Sequence, residues 1–325
     1  MKPWTTPAQK VVLAATAALV VGLVVRPAMS LHLLWDMIIP LLPAVFLLNP
    51  MLWRNVCPLA TLNTIAGERV GEARLEGRWL HGAWAVGIIL LVTLVPARRF
   101  LFNTDGPALA LVIAGVAGLA VAGGTRYARR AGFCNAICPV LPVEKLYGQF
   151  PIVPVRGARC RDCVLCTPVG CTDLAGAKTM AQTLGPSRRS AGWIATPFGA
   201  FAVAFPGLIV GYFTTTNSAL STAPSVYLHA AGWSAASAAV LGVLLLALRA
   251  PARWAMPLLG ALAFGLYYWL AAPGLSRSYG GGTAGTAIVR ALALGLLTVS
   301  FARILLGGPA AGESHREMDW RRSGR

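Results

Sequence analysis

Charge is scarce in this chain. Only 12% of its 325 residues are Asp, Glu, Lys or Arg, and just 11 of those are acidic. Soluble domains carry about twice that fraction, so an ordinary water-soluble globule is excluded. Histidine is rarer still, with four residues. No glycine-rich nucleotide loop, hydrolase triad or zinc-protease motif occurs, so no centre that makes or breaks substrate bonds is visible. The net charge of +17 is spread over several segments and falls in no nucleic-acid-binding motif. Nucleic acid is therefore not an expected partner.

What the chain does have is long apolar runs. A span needs about 20 largely apolar residues. Eight segments qualify: 11–27, 30–49, 80–96, 107–124, 192–213, 229–248, 253–272 and 284–305. The expected fold is an all-α integral membrane protein of about eight transmembrane helices. Pro40 and Pro43 predict a kink or break in the second, and the third and fourth are short. The first is read as a retained helix, because its apolar run is long and no clear cleavage site follows. Basic residues set the topology. Arg26, Arg98, Arg99 and Arg277 fall on one side and Arg290 inside the last span, while the other 23 of 28 Lys and Arg share the side of both termini. The positive-inside rule places that side, with every cysteine, in the cytoplasm.

Seven cysteines stand out against this background, and four form one run. Cys160, Cys163, Cys166 and Cys171 make a C-x2-C-x2-C-x4-C pattern. Thiols at successive x2 spacing form a tight loop whose thiolates converge and whose amides point at cluster sulfides. Zinc sites usually split their ligands into two separated knuckles, and that split is missing. Cytoplasmic thiols stay reduced, which disfavours disulfides. The spacing favours an iron–sulfur cluster over zinc, with these four residues as metal ligands, and hence electron transfer.

The other cysteines lie in two similar segments. Asn49-Pro50-Met51-Leu52-Trp53-Arg54-Asn55-Val56-Cys57-Pro58-Leu59 follows the second span, and Arg130-Ala131-Gly132-Phe133-Cys134-Asn135-Ala136-Ile137-Cys138-Pro139-Val140 follows the fourth. Aligning the Cys-Pro pairs sets Trp53 opposite Cys134, so the second copy is C-x3-C-P and the first keeps only its last cysteine. This suggests a duplicated two-helix unit. Cys57, Cys134 and Cys138 are candidate cofactor-binding residues. The alternative is small apolar side chains packed at helix ends, where free cysteine is common.

With these motifs, roughly residues 30–175 resemble the NapH/NosR-type membrane iron–sulfur proteins, a broad group that includes the cytochrome oxidase accessory protein CcoG. The resemblance implies a protein of the bacterial cytoplasmic (inner) membrane. It would relay electrons between a soluble donor or the quinol pool and a partner oxidoreductase, as one subunit of a membrane redox complex. The chain departs from the group in carrying one ferredoxin-like run, an x4 spacing before Cys171, and Thr172 where proline is usual. Either Cys171 or Cys138 would then close the cluster. Two all-cysteine cubanes need more thiols than the seven present, so one [4Fe–4S] cluster is the economical count. A second would need a further ligand. A redox-dependent assembly or maturation factor is the alternative function, and a redox-sensing transporter a third.

The expected organisation is N-terminal membrane helices over 1–140, a cytoplasmic cluster-binding insert over 141–190, C-terminal helices over 191–307 and a polar tail over 308–325. Ten Lys and Arg from Arg126 to Arg189, against Glu144, Asp162 and Asp173, suit contact with anionic membrane lipid or steering of an acidic ferredoxin or flavodoxin. Ionisable groups inside spans need a reason. Asp36 and Arg290 fall at similar depth, which predicts a buried ion pair. His32 and His229, near the ends of their helices, are weak candidates for haem ligation. His81 is a weak candidate for a quinone headgroup, and His315 lies in the tail. Trp193, Trp233, Trp254, Tyr267, Tyr268 and Trp269 read as packing or interfacial anchors.

Overall fold

The structure is a computed structural model that describes residues 6–70, 73, 77–127, 130–149, 151–153, 184 and 191–307. It is almost entirely helical, with no strand among the described residues beyond an isolated bridge between Ala73 and Tyr127. Eight helices are long and apolar enough to cross a membrane. The chain is a multi-pass membrane protein. The spans are α1 (Pro7–Val25), α2 (Pro27–Leu48), α5 (Arg78–Phe102), α6 (Gly106–Arg126), α8 (Pro197–Thr214), α9 (Leu220–Ala247), α10 (Ala252–Ser278) and α11 (Gly282–Leu305). Among the described residues, short α-helices also lie between them: α3 (Pro50–Val56), α4 (Pro58–Val70) and α7 (Leu141–Tyr147).

Local signals set the helix starts. Thr6 and Gln9 form a reciprocal capping box around Pro7, Asp105 accepts from the Ala108 amide to start α6, and Thr196 accepts from Gly199 to start α8. Burial then sorts the helices. Two-thirds of the α8 core window is buried, against 6% for α1 and 11% for α9. α8 and α10 therefore form the axis, and the outer helices turn apolar faces outward, as lipid allows. The axial core joins Phe46 of α2, Phe201 and Phe205 of α8, and Phe264 and Tyr268 of α10.

The prolines of α2 do not break it. A π-helical stretch, Leu33–Ile38, precedes them, and the helix runs on through Pro40 and Pro43. The Tyr268 hydroxyl bonds both Ala44 and Pro40, one helical turn apart. The Ala44 N–H donates to the Tyr268 hydroxyl (3.2 Å), which donates to the Pro40 carbonyl (2.6 Å). An inserted hydroxyl is a recognised way to bend a helix while leaving no polar group bare. Tyr268 is thus a splice in the backbone of another span as well as a packing residue. α5 is longer than hydropathy predicts, because a second π-helical turn, Arg98–Phe102, continues it.

The expected Asp36–Arg290 pair does not form. Asp36 takes His32 Nδ1 at 2.7 Å, four residues back on its own helix. Arg290 donates from Nε and Nη2 to the Trp269 carbonyl (3.3 and 3.1 Å) and lies 4.1 Å from the Trp269 ring. That carbonyl lacks its usual donor because residue 273 is proline. Each charge finds a nearer partner than the one across the bundle.

Candidate functional site

Both Cys-Pro pairs fold the same way. The Cys57 N–H donates to Trp53 O (2.8 Å), and Pro58 then opens α4. The Cys138 N–H donates to Phe133 O (3.0 Å), and α7 begins three residues later. Proline has no amide, so each thiol meets the next two. The Leu59 and Ala60 amides hydrogen-bond Cys57, and those of Val140 and Leu141 hydrogen-bond Cys138. Cys57 directly precedes α4 while Val140 caps α7, but both thiols meet free amides that favour negative charge on the side chain. The sequence repeat is a repeat of this local geometry. Where the second copy has Cys134, the first has Trp53, whose ring edges onto Phe46 in the core (6.5 Å).

Close backbone contacts hold the second copy inside the bundle. A Cβ on Gly132 would lie 2.3 Å from the Gly123 carbonyl of α6, and one on Gly87 would lie 3.2 Å from the Cys138 carbonyl. Trp84 of α5 donates its indole N–H to the Asn135 carbonyl (3.0 Å). Gly87 stands on the order of 15 Å along α5 from its first turn. α7 goes deeper still. The Tyr147 ring stacks edge-on against Phe264 (5.9 Å), and a Cβ on Gly260 of α10 would meet the Leu146 carbonyl at 2.7 Å. The chain then returns, with Ile152 and Val153 donating to Leu47 and Leu48 (both 2.9 Å). Residues 130–149 are a re-entrant excursion between the spans. Irregular backbone is tolerated at that depth because protein surrounds it. The structure therefore sets the beginning of the expected cytoplasmic insert, residues 141–149, among the membrane helices.

This excursion brings the three described cysteines together. The Cys134 thiol feels both Cys138 and Cys57, and Cys138 feels Cys57. Cys57 is buried and the other two are half-buried. Burial pushes Cys57 up to about 11 and Cys138 up to about 12, and holds Cys134 well above the ordinary thiol value. The neighbouring thiols add to this by mutual repulsion, and the Arg130 and Arg54 guanidiniums oppose it at Cys134. Burial thus favours the thiol form of all three, while amides beside Cys57 and Cys138 and guanidiniums beside Cys57 and Cys134 favour the thiolate.

The charged frame is buried as well. Arg54 of α3 and Glu144 of α7 form an ion pair through Nε and Oε1, with side chains only 11% and 8% exposed. Arg130 donates to Thr64 Oγ1 (3.3 Å) and to the Arg54 carbonyl (3.2 Å), tying α4 and α3 to the cysteine turn. Its guanidinium is lowered from the ordinary value by burial, and the Cys134 thiol counters this. Lys145 lies 5.1 Å from the Trp84 ring, which also packs on His81 (5.2 Å). Sequence reasoning missed Arg54, Arg130 and Glu144 as site residues. Glu144 was the available signal: it is the lone acid just beyond the second Cys-Pro pair, in an otherwise apolar stretch.

Three thiols within electrostatic reach of one another are soft donors by type. The set is incomplete by itself. Among the described residues no group of three or more His, Cys, Asp or Glu stands in a metal-holding arrangement. Cys160, Cys163, Cys166 and Cys171 lie outside the described residues, as does His315. The two candidate haem histidines share no partner. His32 pairs with Asp36 and packs near Tyr279 (6.2 Å), whereas His229 hydrogen-bonds Thr214 (2.9 Å) and packs on Trp233 (6.5 Å). His229 also lies further into its helix than hydropathy predicts, because α9 begins at Leu220.

No family model, curated protein or solved structure matches this chain.

Proposed function

We propose that the chain is a membrane-bound electron-transfer protein of the NapH/NosR type, carrying a [4Fe–4S] cluster on Cys160, Cys163, Cys166 and Cys171. The C-x2-C-x2-C-x4-C run carries this reading. It is supported by the three further thiols at one end of the bundle, with Arg130 acting on Cys57 and Cys134 and Arg54 on Cys134. When bound, such a cluster supplies one-electron carriage. The chain's own residues bind it and set its surroundings. Arg54 and Arg130 offset the negative charge of thiolates, which favours the reduced form. Cys57, Cys134 and Cys138 have the chemistry to add ligands, either to that cluster or to a second centre.

The site faces the cytoplasm of a bacterial inner membrane in this reading, supported by the 23 of 28 basic residues on that side. Donors are a soluble ferredoxin or flavodoxin or the quinol pool, and the acceptor is a partner subunit of a redox complex. Anaerobic purification with iron and sulfide quantitation, and EPR after dithionite reduction, tests it. About four irons per chain with one reduced-cluster signal is expected. About eight irons, falling by half in Cys138→Ser, would make the buried thiols ligands of a second centre. Zinc without iron would end the electron-transfer reading.

A further inference from the structure

The opposite end of the bundle holds two arginines that have no acid partner. Arg98 and Arg99 are adjacent on the π-helical turn that ends α5. Both converge on Tyr212 at the end of α8. Arg98 Nη1 donates to the Tyr212 hydroxyl (2.6 Å), and Arg99 Nε donates to the Tyr212 carbonyl (2.9 Å). Arg99 Nη1 also donates to Asn217 Oδ1 (3.1 Å). Each guanidinium is covered on a face by an aromatic ring, Arg98 by Trp35 (4.6 Å) and Arg99 by Tyr212 (4.1 Å). Trp35 is itself fixed, donating to the Phe102 carbonyl (2.9 Å) from the other π-helical stretch.

Ring faces cover the planes of the two guanidiniums and leave their edges free for hydrogen bonds. Each guanidinium carries several N–H donors, of which Arg98 commits one within the protein and Arg99 two. Arg98 Nε is buried with no hydrogen-bond partner. The ion pairs among the described residues are His32–Asp36 and Arg54–Glu144, and neither includes these arginines. Asp105, near the same end, is spent capping α6. Two adjacent, partly buried positive charges without a counter-charge are unfavourable unless something anionic joins them.

We infer that Arg98 and Arg99 bind the phosphate oxyanion of an anionic membrane phospholipid. The pair sits where spans end, Arg98 against Trp35 and Arg99 against Tyr212, with Tyr227 and Tyr279 also near span ends. That is the aromatic level at which headgroups lie. Planar, fixed guanidinium forks match the oxygens of a phosphodiester, and two positive charges favour a headgroup with net negative charge over a zwitterionic one.

Native mass spectrometry of the full chain in detergent tests this, with phosphatidylglycerol, phosphatidylcholine and inorganic phosphate as separate probes. The wild type is expected to hold phosphatidylglycerol about tenfold more tightly than phosphatidylcholine, and the Arg98→Gln/Arg99→Gln variant to lose that preference. Arg98→Gln alone keeps the bonds of Arg99 to Tyr212 and Asn217, so it preserves the fold while weakening retention several-fold. Arg26→Gln, at an exposed arginine of the same end, is expected to change nothing. Equal retention by the double variant and the wild type would overturn the assignment. So would inorganic phosphate that binds as tightly as lipid, since the source would then be the free ion.

Discussion

The two ends of the bundle handle positive charge in opposite ways. At the cysteine end, Arg54 is matched by Glu144 and Arg130 by backbone and hydroxyl acceptors, all within a re-entrant segment enclosed by spans. At the other end, Arg98 and Arg99 are held by aromatic faces, a tyrosine and an asparagine, with no carboxylate. The first arrangement has a carboxylate of its own beside the thiols. The second is incomplete within the chain and opens toward the membrane surface. Burial is what separates them. A charge deep among the helices must be compensated by the protein itself, whereas one at the rim can draw on whatever the membrane supplies.

The sharpest way to break the comparison is to remove the internal counter-charge. Glu144→Gln keeps the shape but removes the carboxylate that pairs with the buried Arg54. Loss of about 3–5 kcal/mol is expected, read as a large fall in thermal stability in detergent. A loss near zero would mean that the pair is not the element that compensates charge at this end. At the opposite end, Arg99→Gln removes the bonds to Tyr212 and Asn217 but leaves no buried acid behind. A smaller loss of about 1–2 kcal/mol is expected in the same assay. Equal losses at the two ends would erase the distinction.

A gentler probe is alkaline pH on metal-free protein. Thiols in the unfolded chain ionise near 9.0, while folded Cys57 and Cys138 hold their protons to about 11 and about 12. Between those values the folded state binds more protons than the unfolded one, so stability falls as pH rises from 9. The contribution is fully present below pH 9 and gone above the folded values. Thermal unfolding across pH 8–11 is expected to show this decline, and Cys57→Ala/Cys138→Ala to flatten it. An unchanged slope in that variant would show that the thiols are not the titrating groups.

Much of the architecture was legible in the residues. All eight spans stand where apolar runs put them, because crossing a hydrocarbon layer requires length and low polarity, and both are local properties. The likeness between the two Cys-Pro segments was also legible, and its structural meaning lies in the missing proline amide. What hydropathy missed has a common cause. α3, α4 and α7 are too short and too polar to score as spans, yet every residue of α7 but Val143 is buried. The expected Asp36–Arg290 pair assumed that equal depth implies contact. Rotation about each helix axis decides contact instead, and it gave Asp36 to His32 and Arg290 to the carbonyl freed by Pro273.

The sequence by itself determined the class of this protein, its eight membrane helices and its stock of thiols, because hydrophobic length, charge asymmetry and cysteine spacing act through near neighbours in the chain. Only the tertiary structure decided that residues 130–149 turn inward, that Cys57 comes within electrostatic reach of Cys134 and Cys138, and that the Tyr268 hydroxyl bonds the backbone of α2. Those outcomes depend on glycines that let backbones approach and on polar groups that must find partners where water is absent, and such partners are chosen across space.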